Sequence, residues 1–302
     1  MGSGWLSGIF PPIATAFAVD GALRPPAAGF LEFLRDGGLD GVVALGSNGE
    51  AAHLTEAERR QWIGWVRSAL PAPLRLIAGT GAESTRATIE RTRAAEADGA
   101  EAALVIAPSY FKRQLTVEAL RAHYHAVAEA SSIPILIYNV PVHMGYDLGA
   151  EWIVRLAGHT NIAGIKDSSG DIARLPGLRT HLGPDFLLLA GAGEKLLDAL
   201  EAGADGAIAA LANLAPHTST AIRKAWLGGR LEQARQLQHT IAPLGEALSA
   251  GYGVPGLKAG LRLLGYDHGD PRMPLPPLSA KELPALRRLL EDAKLMPRAL
   301  AS

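Results

Sequence analysis

Eight short apolar runs recur along the chain, and each is followed by a stretch in which apolar residues have helical spacing. The runs are almost continuously apolar rather than alternating, which is typical of parallel strands buried on both faces. Among the helical stretches, residues 56–70 begin after Thr55, a candidate N-cap, and residues 84–98 and 117–130 follow the next two runs. The eight runs are residues 8–17, 41–47, 74–80, 102–108, 134–140, 162–168, 186–191 and 206–211.

Repetition of strand and helix predicts an α/β chain folded as a (β/α)8 TIM barrel. The alternative is a doubly wound sheet, but no G-x-G-x-x-G follows the first run and no linker divides the middle of the chain. We therefore expect residues 1–302 to form a single domain, with the barrel in approximately residues 1–218. Residues 219–302 should form the last barrel helix and additional C-terminal helices, with turns at 228–229 and in the proline-rich segment 271–277.

Composition narrows the classes of partner and of chemistry. The net charge is −1 and no block of like charge occurs, so we expect neither a nucleic-acid partner nor a membrane surface. The chain has no cysteine, which excludes disulfides, thiolate metal sites and a cysteine nucleophile, and fits a cytoplasmic protein. The first residues lack the pattern of a signal peptide, and no apolar run reaches the roughly 18 residues of a membrane span.

Reactive side chains follow several of the predicted strands. In TIM-barrel enzymes the active site lies at the carboxyl ends of the strands, and here Lys166 and Tyr138 end successive runs. A buried lysine is costly as an ammonium but useful as a neutral amine nucleophile, and a tyrosine beside it can carry protons. The turn at residues 46–49 suits anion binding, since its glycines let backbone N–H groups approach a ligand. Taken alone, the lysine could be a solvated charge and the turn an ordinary connection.

Metal-assisted chemistry finds little support in the sequence. The nine histidines are scattered, and His123 and His125 are two positions apart on a predicted helix, so they do not share a face. A lysine nucleophile needs no metal, because its imine withdraws electrons from the bond that breaks. We therefore expect no metal and no cofactor.

Three motifs together resemble one family of enzymes. They are GSNGE at residues 46–50, YNVP at 138–141 and GIKDS at 164–168, and they are similar to motifs of the N-acetylneuraminate lyase/dihydrodipicolinate synthase family. Members of this family are class I aldolases and synthases that handle pyruvate on a TIM barrel and commonly form tetramers. The resemblance covers nearly the whole chain, with the motifs in family order and at family spacing. It implies pyruvate and an aldehyde as reactants, and a homotetramer built as a dimer of dimers.

The resemblance also implies a role for each rim residue. Lys166 would form the imine and Tyr138 would act as general acid and base above it. Ser47 would relay protons between Tyr138 and Tyr110, the latter entering from a neighbouring subunit. Further residues would bind substrate: Asn48 the pyruvate-type carboxylate, Gly191 and Ile208 the pocket wall, and Ser168 and His143 the second carboxylate or the aldehyde. Asn139 is expected to be structural, holding the strand-end turn.

Two branches of the family remain open as the activity. Dihydrodipicolinate synthases usually have two threonines at Ser47 and Asn48, and an arginine at His143 that holds the carboxylate of aspartate semialdehyde. The chain looks closer to 4-hydroxy-2-oxoglutarate aldolases, which share GSNGE and segments like residues 78–85, 166–171, 210–213 and 253–258. The resemblance thus favours cleavage of a 4-hydroxy-2-oxo acid to pyruvate and glyoxylate, with the synthase as the alternative. A non-catalytic barrel that binds a 2-oxo acid is the third possibility.

Overall fold

The computed structural model describes residues 3–296 and contains an eight-stranded parallel sheet curled into a barrel. From the second strand to the eighth, each strand pairs with the next one in the chain, and the first strand pairs with the eighth. An isolated bridge between Pro12 and Val43 joins the first and second strand segments and nearly closes the barrel. The strands are β1 (Ile9–Phe10), β2 (Gly41–Ala44), β3 (Arg75–Gly79), β4 (Ala102–Ile106), β5 (Ile135–Asn139), β6 (Ile162–Asp167), β7 (Leu187–Ala190) and β8 (Gly206–Ile208). The predicted TIM barrel is therefore confirmed.

The first strand is much shorter than its apolar run. Residues 8–17 predict one long strand, whereas β1 contains only Ile9 and Phe10. Pro11 and Pro12 follow it, and neither has a backbone N–H to donate to a neighbouring strand. The segment remains in place because Val43 N donates to Pro11 O at 2.9 Å and Ile13 N donates to Val43 O at 2.9 Å.

Helices connect the strands on the outside of the barrel. The helix that follows Thr55 has the predicted capping box: Glu58 N donates to Thr55 Oγ1 at 3.3 Å and Thr55 N donates to Glu58 Oε2 at 2.9 Å. The barrel helices are α1 (Phe30–Asp36), α2 (Glu56–Ala69), α3 (Thr85–Ala97), α4 (Val117–Glu129), α5 (Pro141–Met144), α6 (Ala150–Leu156), α7 (Leu175–Leu182), α8 (Leu196–Glu201) and α9 (Pro216–Leu227).

Further helices follow the barrel, as the sequence predicts. They are α10 (Leu231–Ala247), α11 (Gly253–Leu263) and α12 (Leu283–Asp292), with a π-helical turn, Leu248–Tyr252, before α11. The turn between α9 and α10 lies at Gly228 and Gly229, and the proline-rich segment 271–277 is not helical. Helix α11 packs against the turn that follows β2. Among residues 3–296, no helix has the length and apolar character that crossing a membrane requires.

Candidate active site

Strands β5 and β6 bring Tyr138 and Lys166 together. The two residues are register partners, and so are Asn139 and Asp167, the next residue on each strand. Successive side chains on a strand point to opposite faces, so Tyr138 and Lys166 share one face while Asn139 and Asp167 share the other. Lys166 is only 3% exposed, and its Nζ lies 4.3 Å from the centroid of the Tyr138 ring. The predicted lysine–tyrosine pair therefore exists in one wall of the barrel.

Ser47 extends this pair to the turn after β2. Its Oγ lies 3.2 Å from the Tyr138 hydroxyl, so a hydrogen bond joins two residues that are far apart in sequence. Ser47 and Asn48 are partly exposed and belong to a short 3-10 helix, Ser47–Gly49. Thr15 Oγ1 donates to Gly49 O at 2.6 Å and ties this helix to the segment after β1.

The turn has an unusual backbone conformation at both ends. Leu45 and Glu50, the residues on either side of Gly46–Gly49, have φ values of 59° and 53°. Non-glycine residues rarely adopt this left-handed region, because each such residue costs about 1–3 kcal/mol that contacts with the surroundings must offset. Gly79 makes room for the conformation, because a Cβ at this position would collide with the Leu45 carbonyl oxygen. The backbone at Ser47 and Asn48 is therefore shaped by its neighbours rather than by local preference.

The opposite face of β5 and β6 carries a network of polar side chains. Asn139 Nδ2 donates to Asp147 Oδ1 at 2.7 Å and to Asp167 Oδ1 at 2.9 Å, and Asn139 Oδ1 accepts from Leu148 N at 3.1 Å. Arg174 donates to Asp167 at 2.7 Å through Nε and to Asp147 at 2.8 Å through Nη1. Asn139 thus holds the strand-end turn. Sequence reasoning missed Asp147, Asp167 and Arg174, although strand alternation beside Lys166 places Asp167 on the outer face.

Ser168 and Gly191 lie side by side after β6 and β7. Ser168 N donates to Asn139 O at 2.8 Å, and Gly191 N donates to Asp167 O at 2.7 Å. A Cβ at Gly191 would collide with Ser168 Oγ, so any larger residue would displace that hydroxyl. Ile208 is fully buried on β8, beside Phe10 of β1.

His143 lies on α5, just after the tyrosine strand. Its side chain reaches solvent, yet partial burial of the ring lowers its pKa, and the Lys166 ammonium lowers it further. Since a histidine normally titrates near 6.5 and this pKa is lowered, the neutral form of His143 predominates at pH 7. The position therefore offers a substrate a neutral ring rather than a fixed positive charge.

Tyr110 is not gathered with the other three residues. Its side chain is 80% exposed, and its ring packs edge-to-face on Phe111 with centroids 5.0 Å apart. Glu83 holds this loop, because its Oε2 accepts hydrogen bonds from Ser109 N at 3.0 Å and from Tyr110 N at 2.9 Å. Sequence reasoning did not identify Glu83. Within one chain, the site brings Lys166, Tyr138 and Ser47 together, whereas the Tyr110 side chain is exposed and packs on Phe111.

Comparison with known proteins identifies the family to which the chain belongs. The dihydrodipicolinate synthetase family model matches residues 5–293. A 4-hydroxy-tetrahydrodipicolinate synthase of Stenotrophomonas maltophilia is 37% identical over 95% of this chain and 96% of its own. A probable mitochondrial 4-hydroxy-2-oxoglutarate aldolase of Emericella nidulans is 35% identical over 98% of this chain and 97% of its own. The crystal structure of the chloride-inhibited dihydrodipicolinate synthase of Acinetobacter baumannii, complexed with pyruvate, superposes with a TM-score of 0.89 at 35% identity, covering 96% and 99% of the two chains.

A TIM barrel with a lysine and a tyrosine paired at its rim, matched over its full length by lyases and aldolases, defines an enzyme of the carbon–carbon lyase class. Its mechanistic type is that of the class I pyruvate aldolases. The chain belongs to the dihydrodipicolinate synthetase family.

Proposed function

We propose that the protein is a class I aldolase that cleaves 4-hydroxy-2-oxoglutarate to pyruvate and glyoxylate through an imine on Lys166. One observation carries the proposal: Lys166 and Tyr138 are register partners, and the Tyr138 hydroxyl is 3.2 Å from Ser47 Oγ. A buried amine next to a hydrogen-bonded phenol is what imine formation followed by proton transfer requires.

The reaction divides into steps that these residues can perform. Lys166 reacts as the neutral amine, after its ammonium loses a proton to solvent, and attacks the C2 carbonyl. Tyr138 donates its phenol proton to the departing hydroxyl, so that water leaves, an iminium forms and Tyr138 becomes a phenolate. Tyr138 takes the proton from the C4 hydroxyl, the C3–C4 bond breaks, and its electron pair moves into the enamine as glyoxylate leaves. Tyr138 then returns the proton to C3, and hydrolysis releases pyruvate and restores the amine. Ser47 passes protons between Tyr138 and Tyr110.

Substrate binding is assigned to the turn after β2 and to residues at the carboxyl ends of β5 to β8. Asn48, with the backbone N–H groups of Ser47 and Asn48, holds the carboxylate next to the imine. Gly191 and Ile208 line the pocket, and Gly191 leaves room for the Ser168 hydroxyl to approach the second carboxylate or the glyoxylate. His143 assists at that end as a neutral hydrogen-bonding group.

The synthase reaction is the second candidate, because the Stenotrophomonas relative carries that name. Condensation of pyruvate with aspartate semialdehyde would use the same imine, with the carbon–carbon bond formed rather than broken. The aldehyde's carboxylate would then need a cation at the mouth of the site. A neutral His143 lacks both the charge and the two-pronged geometry of an arginine, which favours the aldolase.

Trapping of the imine tests the proposal directly. Incubation with pyruvate and borohydride should add a reduced pyruvyl group to Lys166, detected by mass spectrometry of the digested protein. Absence of the adduct, under conditions that trap a known lyase, would leave the barrel as a non-catalytic binder of 2-oxo acids. Parallel assays of pyruvate release from 4-hydroxy-2-oxoglutarate and of semialdehyde condensation then separate the two enzyme activities.

We further propose that Tyr110 completes the site of a neighbouring subunit in a homotetramer, a dimer of dimers. Its support is the exposure of Tyr110, Phe111 and Val142, which are 80%, 64% and 81% exposed. Mixing inactive Lys166→Ala and Tyr110→Phe chains tests this arrangement. A mixed dimer has one site with an intact lysine and an intact tyrosine only if Tyr110 acts across the interface. Recovery of activity on mixing supports the proposal, and its absence in verified mixed dimers contradicts it.

The proposals on domain organisation, compartment and cofactors are the same as those from the sequence. We propose a single domain over residues 1–302, since α9 and α10 pack against each other and α11 packs on the barrel rim. The cytoplasm stays the predicted compartment, and no metal or cofactor enters the proposed steps.

A further inference from the structure

Two residues of shared motifs have no role in the proposed chemistry: Glu50, the last residue of GSNGE, and Lys258, the last residue of GVPGLK. They form an ion pair, with Lys258 Nζ 2.6 Å from Glu50 Oε1, and both side chains are only 1% exposed. Lys258 lies on α11, outside the barrel proper, so the pair joins the C-terminal helices to the turn that carries Ser47 and Asn48.

Further polar groups contact both members of this ion pair. The second Glu50 oxygen, Oε2, accepts a hydrogen bond from Arg272 N at 2.8 Å, and His53 Nδ1 lies 3.3 Å from it. Lys258 Nζ donates to Asp270 O at 3.1 Å and lies 4.3 Å from the Phe17 ring centroid. Burial lowers the pKa of Lys258, while the neighbouring Glu50 carboxylate opposes that change.

Arg272 extends the connection to the next helix. Its guanidinium lies 4.3 Å from the Phe17 ring centroid, donates to His53 O at 2.8 Å, and pairs with Glu58 of α2 at 2.7 Å. Glu50, His53 and Glu58 are therefore all bound to Arg272, in the segment that follows α11.

Backbone strain at Glu50 explains why the turn needs these contacts. Glu50 has a φ of 53°, a conformation that persists in a non-glycine residue only when the surroundings determine it. The Glu50 carboxylate is bound on both oxygens by groups that follow β8 in the sequence. If the carboxylate were released, the turn could relax toward ordinary φ values and move the backbone at Ser47 and Asn48.

We infer that Glu50 and Lys258 are positioning residues, which hold the strained turn in the shape that binds the carboxylate of pyruvate and thereby make α11 part of the active site. This inference rests on the proposed function, which places that carboxylate at Ser47 and Asn48. Neither residue touches the reacting atoms. Their loss should therefore weaken pyruvate binding far more than it slows the chemistry.

Pyruvate trapping on the full chain, without aldehyde, provides the measurement. The pyruvate concentration that gives half-maximal borohydride trapping should rise about tenfold in Glu50→Gln, whereas the trapping level at saturating pyruvate should stay near that of the wild type. The matched control is Asp205→Asn, which makes the same change at an ion pair with Arg179 (2.6 Å) at the amino end of β8. This control should leave the half-maximal concentration unchanged.

A double variant separates positioning from stability. Removing one partner of a buried pair strands the other charge, whereas replacing both partners with neutral side chains is often tolerated. Glu50→Gln combined with Lys258→Met should therefore unfold closer to the wild-type midpoint than Glu50→Gln, yet keep the tenfold weaker pyruvate binding. If Glu50→Gln does not fold, the double variant takes its place in the trapping experiment.

The outcomes distinguish this inference from the proposed function. Wild-type protein that traps no pyruvate overturns the proposed function itself. Wild-type protein that traps normally, with folded variants shifted less than threefold, overturns only the positioning role. An equal shift in Asp205→Asn would also overturn it, since the effect would then be general destabilisation.

Discussion

The amino and carboxyl ends of the barrel strands both carry polar side chains, but those side chains contact different partners. At the amino ends, an acidic residue directly precedes β2, β4 and β8, and its carboxylate accepts a hydrogen bond from the backbone of the neighbouring odd-numbered strand. These bonds are Ile9 N to Asp40 Oδ2 at 2.9 Å, Leu76 N to Glu101 Oε1 at 3.4 Å, and Leu188 N to Asp205 Oδ2 at 2.8 Å. Asn161 precedes β6, and its carbonyl oxygen accepts from Ile135 N at 2.9 Å.

At the carboxyl ends, the inner side chains contact one another instead. Lys166 lies against Tyr138, and Tyr138 bonds to Ser47. The charged network of Asp147, Asp167 and Arg174 lies on the outer face of the same strands. One end therefore uses polar groups to pair strand backbones, while the other keeps polar groups inside the barrel, where a substrate can meet them. This division matches the general rule that conserved chemistry lies at the carboxyl ends and stability at the amino ends.

Replacing the inner lysine should have the largest effect on activity. Lys166→Ala removes the nucleophile, so turnover should fall by about four orders of magnitude or more, with no borohydride adduct. The free energy of unfolding, from urea denaturation, should stay within about 1 kcal/mol of wild type or rise, because a buried amine is lost. Residual turnover near wild type would place the nucleophile elsewhere.

Removing the phenol should have the next largest effect. Tyr138→Phe keeps the ring against Lys166 but loses the hydroxyl that bonds to Ser47. Trapping of pyruvate at Lys166 should persist, while turnover falls about 10²- to 10⁴-fold through loss of proton transfer. Measuring the adduct and the turnover in the same preparation checks that trapping persists while turnover falls. Loss of both in equal measure would assign Tyr138 to positioning rather than to acid–base chemistry.

A change at the amino ends should reverse this pattern. Asp205→Asn weakens the bonds to Leu188 N and to Arg179, so the free energy of unfolding should fall by about 1–2 kcal/mol. The ratio kcat/KM should stay within about twofold of wild type, because no reacting group moves. Urea denaturation and steady-state kinetics measure the two quantities. A large kinetic loss without a loss of stability would contradict the comparison of the two ends.

Substitution of the rim histidine should change the preferred substrate by the smallest factor. His143→Arg adds a permanent charge with two parallel donors at the mouth of the site, where His143 is neutral. We expect kcat/KM for condensation with aspartate semialdehyde to rise about tenfold, with unfolding little changed. His143→Gln, which adds no charge, is the matched control. Equal effects of arginine and glutamine would mean that charge at this position does not select the aldehyde.

Much of the barrel could be predicted because its strands are buried on both faces. Such strands are apolar at every position, and all eight runs contain a strand. Run length overestimated β1, since apolar character continues through Pro11 and Pro12 where strand pairing does not. The capping box at Thr55 was predictable because all of its groups lie within one turn.

The polar network of the outer face could not be predicted in the same way. Arg174 follows Asp167 closely in sequence, but it ends a short 3-10 helix, Ile172–Arg174, that the apolar pattern does not specify. The ion pair between Glu50 and Lys258 could not be predicted either, because Lys258 belongs to a helix that is not part of the barrel repeat. Shared motifs marked both residues without indicating that they touch.

The sequence by itself determined which residues lie near the carboxyl end of each strand other than β1, because apolar runs and the polar residues after them are local features. It therefore placed Lys166, Tyr138 and the Ser47–Asn48 turn at one end of a barrel. Only the tertiary structure decided that Tyr138 and Lys166 are register partners, that Ser47 reaches the phenol, and that the Tyr110 side chain is exposed. The physical reason is that register, barrel closure and the packing of α11 depend on the summed contacts of distant segments, which no single stretch of sequence contains.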